Sequence, residues 1–263
     1  MDQMLEDDFT YVLRKALAGN GLTSAEAAAR AGLPESRIRE ILAGSFSADA
    51  ARRLAPVLGL NAEACARHPA HHPGPLALPG IERLDLPFDG ERVNAWLVRA
   101  DDGWVLFDAG YVASDLIRVL ESRCGRMPDR VFITHAHRDH VGALGRFLDE
   151  GIPVHSAGLP GTVRMKPGDK VCCGPLVVRA CDLSGHASPA LGFHIEGLAG
   201  PVLVTGDALF AGSIGGCGSP ASYRHALCKL RETLGPLPET TVLLPGHGPA
   251  TTLGEERVGN PFL

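Results

Sequence analysis

The chain has 263 residues, enough for one large domain or for a medium domain with a small companion. Its 25 Lys and Arg against 30 Asp and Glu give a net charge of −5, so no global basic field marks a nucleic-acid binder. With 45% hydrophobic and 21% charged residues, the composition supplies a packed core and excludes a disordered chain.

The expected location follows from the N-terminus, the apolar runs and the cysteines. The start MDQMLEDDF lacks the basic and apolar regions of a secretory signal. No apolar run reaches the roughly 18 residues that a membrane span needs. The 7 cysteines are an odd number in a chain too long to need a disulfide scaffold. A reduced, cytoplasmic setting without membrane contact is therefore expected.

The first 68 residues are predicted to form a small all-helical domain. Apolar residues spaced by three and four predict a helix over 6–18. Thr23 and Glu26 form the pattern of a capping box, which begins a second helix that stops at Gly32. Further helical patterns follow in chain order at 34–44, at 48–58 and from residue 61.

The stretch LTSAEAAARAGLPESRIREILAG resembles the helix-turn-helix of phage-repressor-type domains. Affinity for DNA depends on neutralising phosphates, yet residues 1–68 carry 8 basic against 9 acidic side chains. On the second helix of the motif, the basic residues Arg37 and Arg39 are interleaved with Glu35 and Glu40. Packing or dimerisation is therefore the preferred interpretation of this segment over DNA binding, and a homodimer is one expected assembly.

Residues 69–80 are predicted to be a proline-rich linker, because repeated prolines disfavour both helix and interior strand. His68, His71 and His72 lie in or beside this segment, where a solvated connector is a better interpretation than a metal site. The main domain is accordingly assigned to residues 81–263.

The main domain mixes strands and helices, which indicates an α/β fold. The segments 95–100 and 104–110 read as neighbouring strands joined by a hairpin turn. Further strands are predicted at 130–134, 176–180, 191–196, 202–205 and 241–244. Helices are predicted at 114–123, 141–150 and 221–234.

The residues that carry chemistry begin in the run VFITHAHRDHVG, a short buried strand that becomes polar at its carboxyl end. His135 and His137 point to the same side of an extended segment, and the turn that follows can return Asp139 and His140 toward them. Imidazoles with a carboxylate suit zinc, or iron and manganese at similar sites. This segment is therefore predicted to bind metal.

HAHRDH matches the HxHxDH signature of the metallo-β-lactamase superfamily, which this chain resembles over about residues 80–263. The later parts of that signature follow in order as His186 in LSGHASP, Asp207 in VTGDALF and His247 in LLPGHGP. The resemblance implies a four-layer αββα sandwich after the small helical domain. It also implies two divalent metal ions, with zinc as the first expectation.

The resemblance assigns roles to seven residues. It implies a first metal site held by His135, His137 and His186. It implies a second site held by Asp139, His140 and His247, with Asp207 bridging the two. Asp139 is the implied catalytic proton acceptor and donor for a metal-bound hydroxide.

Asp207 at the bridging place resembles glyoxalase II-type hydrolases, whereas the zinc β-lactamases of the commonest class have cysteine there. That implies hydrolysis of a thioester or similar acyl substrate, with hydroxyacylglutathione as the reference. Those relatives usually have arginine soon after a Ser-Ile-Gly, where this chain has Gly216 and Cys217. Basic residues that would grip a glutathione carboxylate are therefore not identified. Candidates by charge alone are Arg164, Lys166 and Arg224.

Two alternatives to the hydrolase stay open. A mononuclear iron persulfide dioxygenase shares the fold and much of the ligand pattern. A DNA-binding regulator would instead use the helical segment to bind DNA and the main domain to sense a ligand. Cys217 and Tyr223 are further candidates for substrate contact, although buried packing is preferred for both.

Overall fold

The computed structural model describes residues 4–101 and 103–263. The helices of the N-terminal segment are α1 (Phe9–Asn20), α2 (Ser24–Ala31), α3 (Glu35–Leu42), α4 (Ala48–Leu54) and α5 (Ala62–Arg67). The capping box of Thr23 and Glu26 is present at the start of α2. The first helix begins later than the pattern predicts, because the Asp8 side chain caps it by accepting hydrogen bonds from the N–H groups of Thr10 and Tyr11.

The strands of the described chain all follow the N-terminal helices and form two six-stranded sheets. The first has the order β1 (Ile81–Phe88), β2 (Glu91–Ala100), β3 (Gly103–Phe107), β4 (Arg130–Phe132), β5 (Val154–Ser156) and β6 (Val163–Arg164). The second has the order β12 (Thr251–Thr252), β11 (Val242–Pro245), β10 (Val202–Gly206), β9 (Leu191–Glu196), β8 (Leu176–Asp182) and β7 (Lys170–Cys173). The main-domain helices are α6 (Ala113–Cys124), α7 (Leu144–Asp149), α8 (Pro220–Leu234) and α9 (Leu253–Gly259).

Each sheet mixes antiparallel and parallel pairs. In the first sheet β1, β2 and β3 are antiparallel, and β3 to β6 are parallel. In the second, β10 and β11 form a parallel pair between antiparallel neighbours. The parallel strands β4, β10 and β11 matter most for function, because the loops that follow their carboxyl ends carry the polar motif residues.

Alternating side chains bury both faces of each sheet. Trp96 and Phe107 point between the two sheets, where Phe193 of the second sheet meets them. Leu97, the neighbour of Trp96, points the other way and packs beneath α6 and α7 with Leu116. Helices therefore cover the outer face of each sheet, and the predicted four-layer αββα arrangement is confirmed.

The N-terminal helices pack onto the outer layer of the second sheet. Val12 and Ala16 of α1 share one hydrophobic cluster with Leu203 of β10 and Leu230 of α8. Gly19 approaches the ring of Tyr223 on α8 so closely that a Cβ there would lie 2.4 Å from its Cγ. Helix α1 is therefore held directly against the main domain. The division at residues 68 and 80 stays a prediction.

The proline-rich segment after α5 is irregular, as predicted, but it is not a free connector. The buried His68 is hydrogen-bonded through Nε2 to the Gly212 carbonyl at 3.0 Å. His71 lies 3.4 Å from the buried Glu256 of α9. The interpretation as solvated residues is wrong for these two histidines, since each meets a polar partner on the main domain. Among the described residues, no helix combines the length and the apolar character needed to cross a membrane.

Candidate metal centre

The loops after four strands bring all seven motif residues to one edge of the sandwich. The loop after β4 carries His135, His137, Asp139 and His140. The loops after β8, β10 and β11 carry His186, Asp207 and His247 respectively. Residues that are more than a hundred positions apart in the chain thus lie together because their strands end at the same place.

The first group of potential ligands consists of His135, His137, His186 and Asp207. Nδ1 of His137 lies 3.0 Å from Nε2 of His135 and 3.0 Å from Nε2 of His186. Oδ2 of Asp207 lies 3.7 Å and 3.4 Å from the same two Nε2 atoms. Three ring nitrogens and one carboxylate oxygen therefore face a common point.

The second group consists of Asp139, His140, His247 and again Asp207. Nε2 of His247 lies 3.2 Å from Oδ2 of Asp139 and 3.5 Å from Oδ2 of Asp207. Nε2 of His140 lies 3.3 Å from Oδ1 of Asp207. Asp207 thus belongs to both groups, with each of its two oxygens near a histidine of the second.

The donor set fits divalent metal ions. Tetrahedral bonds of about 2.1 Å would place neighbouring ligand atoms about 3.4 Å apart, close to the separations in both groups. His140 Nε2 and Asp207 Oδ1 are buried and have no hydrogen-bond partner among the described residues. A Cβ on Gly246 would lie 2.1 Å from Asp207 Oδ1, so only glycine leaves space beside that carboxylate.

Four of the five histidines are oriented by a hydrogen bond at Nδ1. The Nδ1 of His140 donates to Asp108 at 2.8 Å, and that of His135 lies 2.9 Å from the Thr134 hydroxyl. The Nδ1 atoms of His186 and His247 donate to the backbone carbonyls of Gly216 and Arg92 at 2.6 Å and 2.7 Å. With Nδ1 held in this way, each of these rings presents its Nε2 atom to the ligand groups.

Asp108 supports one of the potential ligands, and the motif analysis missed it. Its carboxylate is buried, accepts from the N–H and hydroxyl of Thr134, and holds His140. Its backbone has a φ of +63°, a left-handed conformation that aspartate tolerates better than most residues. The signal was the Asp-Ala-Gly at the end of β3, where a carboxylate follows a buried strand as Asp207 does.

The pKa values of the motif residues depend on burial and on how close each residue lies to the carboxylates. Burial and the nearby His140 lower the pKa of His135 to about 2, which keeps its ring neutral. Burial also lowers that of His247, but Asp139 and Asp207 outweigh it and raise its pKa to about 10. Burial opposes ionisation of Asp207, yet His140 and His247 hold its pKa well below the usual range. The carboxylates therefore attract positive charge to the second group.

A cavity of about 490 Å³ opens onto these residues, and His137, Asp139, His186, Asp207 and His247 all line it. Its basic lining residues are Lys15 and Arg138. Arg164 and Lys166 line a separate cavity of about 280 Å³ instead. Tyr223 is buried beneath Gly19 rather than exposed to the larger cavity, so packing explains it within the described chain.

Similarity to known proteins agrees with this geometry. Residues 88–180 match the model of the Metallo-beta-lactamase superfamily. The chain is 28% identical over 204 residues to the "Probable metallo-hydrolase YqgX" of Bacillus subtilis, covering 68% of this chain and 95% of that protein. It is 29% identical over 208 residues to the "Hydroxyacylglutathione hydrolase GloC" of Haemophilus influenzae, covering 68% of this chain and 96% of that one.

Two solved structures are similar in fold and in sequence. The BLEG-1 B3 metallo-beta-lactamase superposes with a TM-score of 0.57 at 29% identity, covering 69% of this chain and 99% of that one. TTHA1623 in a di-iron-bound form superposes with a TM-score of 0.55 at 28% identity, covering 68% of this chain and 100% of that one. This chain therefore has the metallo-β-lactamase fold, and the curated relatives it matches include one named a probable metallo-hydrolase and one named a hydroxyacylglutathione hydrolase.

Proposed function

We propose that the protein is a binuclear metal-dependent hydrolase of thioesters such as hydroxyacylglutathione. The observation that carries the proposal is the pair of ligand groups that share Asp207. A single-metal enzyme needs only one such group, whereas the described residues form two, each with buried members and ligand atoms within 4.8 Å of one another.

In this proposal His135, His137 and His186 hold the first metal, and Asp139, His140 and His247 hold the second, with Asp207 between them. When bound, two divalent cations lower the pKa of a shared water from 15.7 to roughly 7 and polarise the substrate carbonyl. The resemblance implies zinc, and the similarity to a di-iron protein supports iron equally well.

Asp139 is the proposed catalytic base. Asp139 lines the cavity, and its Oδ2 lies 3.2 Å from His247 Nε2. The contact with His247 holds the carboxylate in place beside the cavity. Its pKa stays below the ordinary value, because hydrogen bonding by His247 and the charge of His140 outweigh burial. An ionised carboxylate there can take the proton of the attacking water and return it to the leaving thiolate.

Three observations support a thioester substrate. The relative from Haemophilus influenzae is named a hydroxyacylglutathione hydrolase, and its similarity spans 96% of its length. By the resemblance, Asp207 stands at the place where the zinc β-lactamases of the commonest class have cysteine. The cavity of about 490 Å³ is open enough to admit an acyl group joined to a peptide-sized thiol.

The regulator alternative has less support. On α3, Arg37 pairs with Glu40 at 2.9 Å and Arg39 lies 3.8 Å from Glu35. Both arginines would have to leave these partners to contact phosphate, and the net charge offers no compensation.

The test combines elemental analysis with assays on the purified chain. We expect two metal ions per chain and hydrolysis of S-lactoylglutathione without uptake of oxygen. Asp207→Ala should lose bound metal and lower kcat/KM at least about a hundredfold. Asp149→Ala, which removes an exposed carboxylate from the end of α7, is the matched control and should change neither.

Other outcomes would contradict the proposal in different ways. One iron per chain with consumption of oxygen would indicate the dioxygenase. Hydrolysis of a β-lactam such as nitrocefin but of no thioester would keep the hydrolase and overturn its substrate. Unchanged metal content and turnover in Asp207→Ala would overturn the site itself.

A further inference from the structure

One wall of the metal-site cavity comes from the N-terminal helical segment. Lys15 of α1 lines the cavity, although it is more than a hundred residues away in sequence from every motif residue. Its ammonium pairs with the carboxylate of Asp7 and donates to the Ile214 carbonyl at 2.8 Å. It also lies over the ring of Phe210, 5.2 Å from the centroid. These contacts hold the cation at one place.

Lys15 is near the candidate metal ligands on two sides, through contacts with Gly216 and with Phe210. Its Cε lies 4.0 Å from where a Cβ on Gly216 would stand, and the Gly216 carbonyl accepts from His186. On the other side, the Phe210 ring beneath the ammonium contacts the His247 ring with centroids 5.6 Å apart. Lys15 therefore stands beside both ligand groups without belonging to either.

The position of Lys15 differs from that of the other basic residue at the cavity. Arg138 lies at the outer rim, with 64% of its side chain exposed and its guanidinium paired with Asp89. The Lys15 side chain is only 17% exposed. A half-buried cation is screened less by water and salt than an exposed one, while Asp7 pairs with Lys15 and the carboxylates of Glu6 and Glu91 also line the cavity.

The loop after β10 supplies no basic side chain to this part of the cavity. It has Gly215, Gly216 and Cys217 there, and a Cβ on Gly216 would lie 4.0 Å from Cε of Lys15. Lys15 is therefore the cation beside that loop. About a third of this chain lies outside the match to YqgX, which spans nearly all of that relative.

We propose that Lys15 is a specificity-determining residue that binds a carboxylate on the thiol part of the substrate. The proposal rests on the thioesterase function above. An ammonium has three N–H donors, and Asp7 and the Ile214 carbonyl account for two of them. The third N–H can donate to a substrate carboxylate in the cavity, while the acyl group would lie beside the two ligand groups. The helical segment is then part of the active site.

The test uses the metal-loaded full chain and two ligands, one with free carboxylates and one with both carboxyl groups esterified. S-methylglutathione has free carboxylates, and its diethyl ester has none; neither has a free thiol to bind metal. Isothermal titration gives the ratio of their dissociation constants. Lys15→Gln should weaken binding of the acid about tenfold and leave the ester unchanged, whereas Lys15→Arg should keep the acid preference.

Asp7→Asn separates a binding role from a structural one. If Lys15 binds substrate, removing its competing carboxylate should strengthen binding of the acid. If the Lys15–Asp7 pair only fixes α1, Asp7→Asn and Lys15→Gln should both weaken it. Where Lys15→Gln folds poorly by thermal unfolding, the Asp7→Asn/Lys15→Gln double variant leaves no unpaired buried charge and should still lose the acid preference.

Lys166→Gln is the matched control, because Lys166 is exposed and lines the separate cavity. An acid-to-ester ratio that Lys15→Gln leaves unchanged would overturn the proposal, as would a wild-type chain that binds neither ligand. Hydrolysis of S-lactoylglutathione is followed in parallel. A wild-type chain with the Lys15-dependent preference but no hydrolysis would overturn the thioesterase and keep the carboxylate site.

Discussion

The metal-site cavity has two walls that are built differently. The wall of strand-end loops consists of buried side chains with several fixed contacts each, such as His140 between Asp108 and Asp207. The wall from α1 is held by apolar packing against α8 and by Lys15. The first wall leaves its ligand atoms almost no freedom, as metal chemistry requires. The second supplies no potential metal ligand, and in our proposal it selects the substrate.

The largest effect on metal affinity should come from changing a residue that supports a proposed ligand in the wall of strand-end loops. Asp108→Asn keeps the size of the side chain but removes the charge that orients His140. We expect the affinity for metal at the second group to fall about 10–100-fold, because such supporting carboxylates fix the ring and raise its basicity. Competition with a chromophoric chelator measures the affinity.

Asp101→Asn is a matched control for this change. Asp101 also has a positive φ, of +55° against +63° for Asp108, but it lies in an exposed turn outside the metal site. Its substitution should leave metal affinity unchanged. Equal affinity in the Asp108→Asn chain and the wild type would show that the backbone, not the carboxylate, fixes His140.

An effect of similar size, but on stability and not on metal affinity, should follow from crowding the contact between α1 and α8. In Gly19→Ala the new Cβ would lie 2.4 Å from the Tyr223 ring, so α1 must shift or the ring must turn. We expect a loss of about 1–3 kcal/mol in the free energy of unfolding, as for other overpacked positions. Urea unfolding measures the loss, and metal content should be unaffected because α1 supplies no proposed ligand.

Gly145→Ala provides the comparison, since Gly145 lies in helix α7 with nothing within 4 Å of its Cβ position. Better helix propensity should make that variant more stable by up to about 1 kcal/mol. A Gly19→Ala chain that is stabilised equally would mean that α1 does not pack on α8 as described.

The two walls also differ in what their sequences reveal. The seven motif residues could be singled out from the sequence because the resemblance names them, and the structure brings them together in two groups of potential ligands. Lys15 could not, because its position depends on how α1 packs on α8, and packing surfaces such as Gly19 against Tyr223 leave no local pattern. Strand β1 was also missed; its Pro87 is tolerated because β1 is an edge strand.

The smallest predicted effect concerns a buried histidine that is not part of the metal centre. His155 of β5 stacks on Phe132 with ring centroids 4.8 Å apart, and its Nε2 accepts from Arg130 at 3.1 Å. Burial and the Arg130 charge lower the pKa of His155 to about 4, so the folded chain keeps this ring neutral. In the unfolded chain the same ring takes up a proton near pH 6.5.

The folded state should therefore lose stability as the pH falls from about 6.5 to about 4, because the unfolded state binds the extra proton. In His155→Phe this part of the loss should disappear, on the order of 1 kcal/mol since the neighbouring guanidinium is partly screened. Urea unfolding of both chains at pH 7 and pH 4.5 measures the difference and cancels the contribution of metal loss, which is common to both. Parallel pH curves would mean that His155 is protonated in the folded chain. A buried histidine would then be no sign of a neutral ring, and neutrality at His135 would need its own direct measurement.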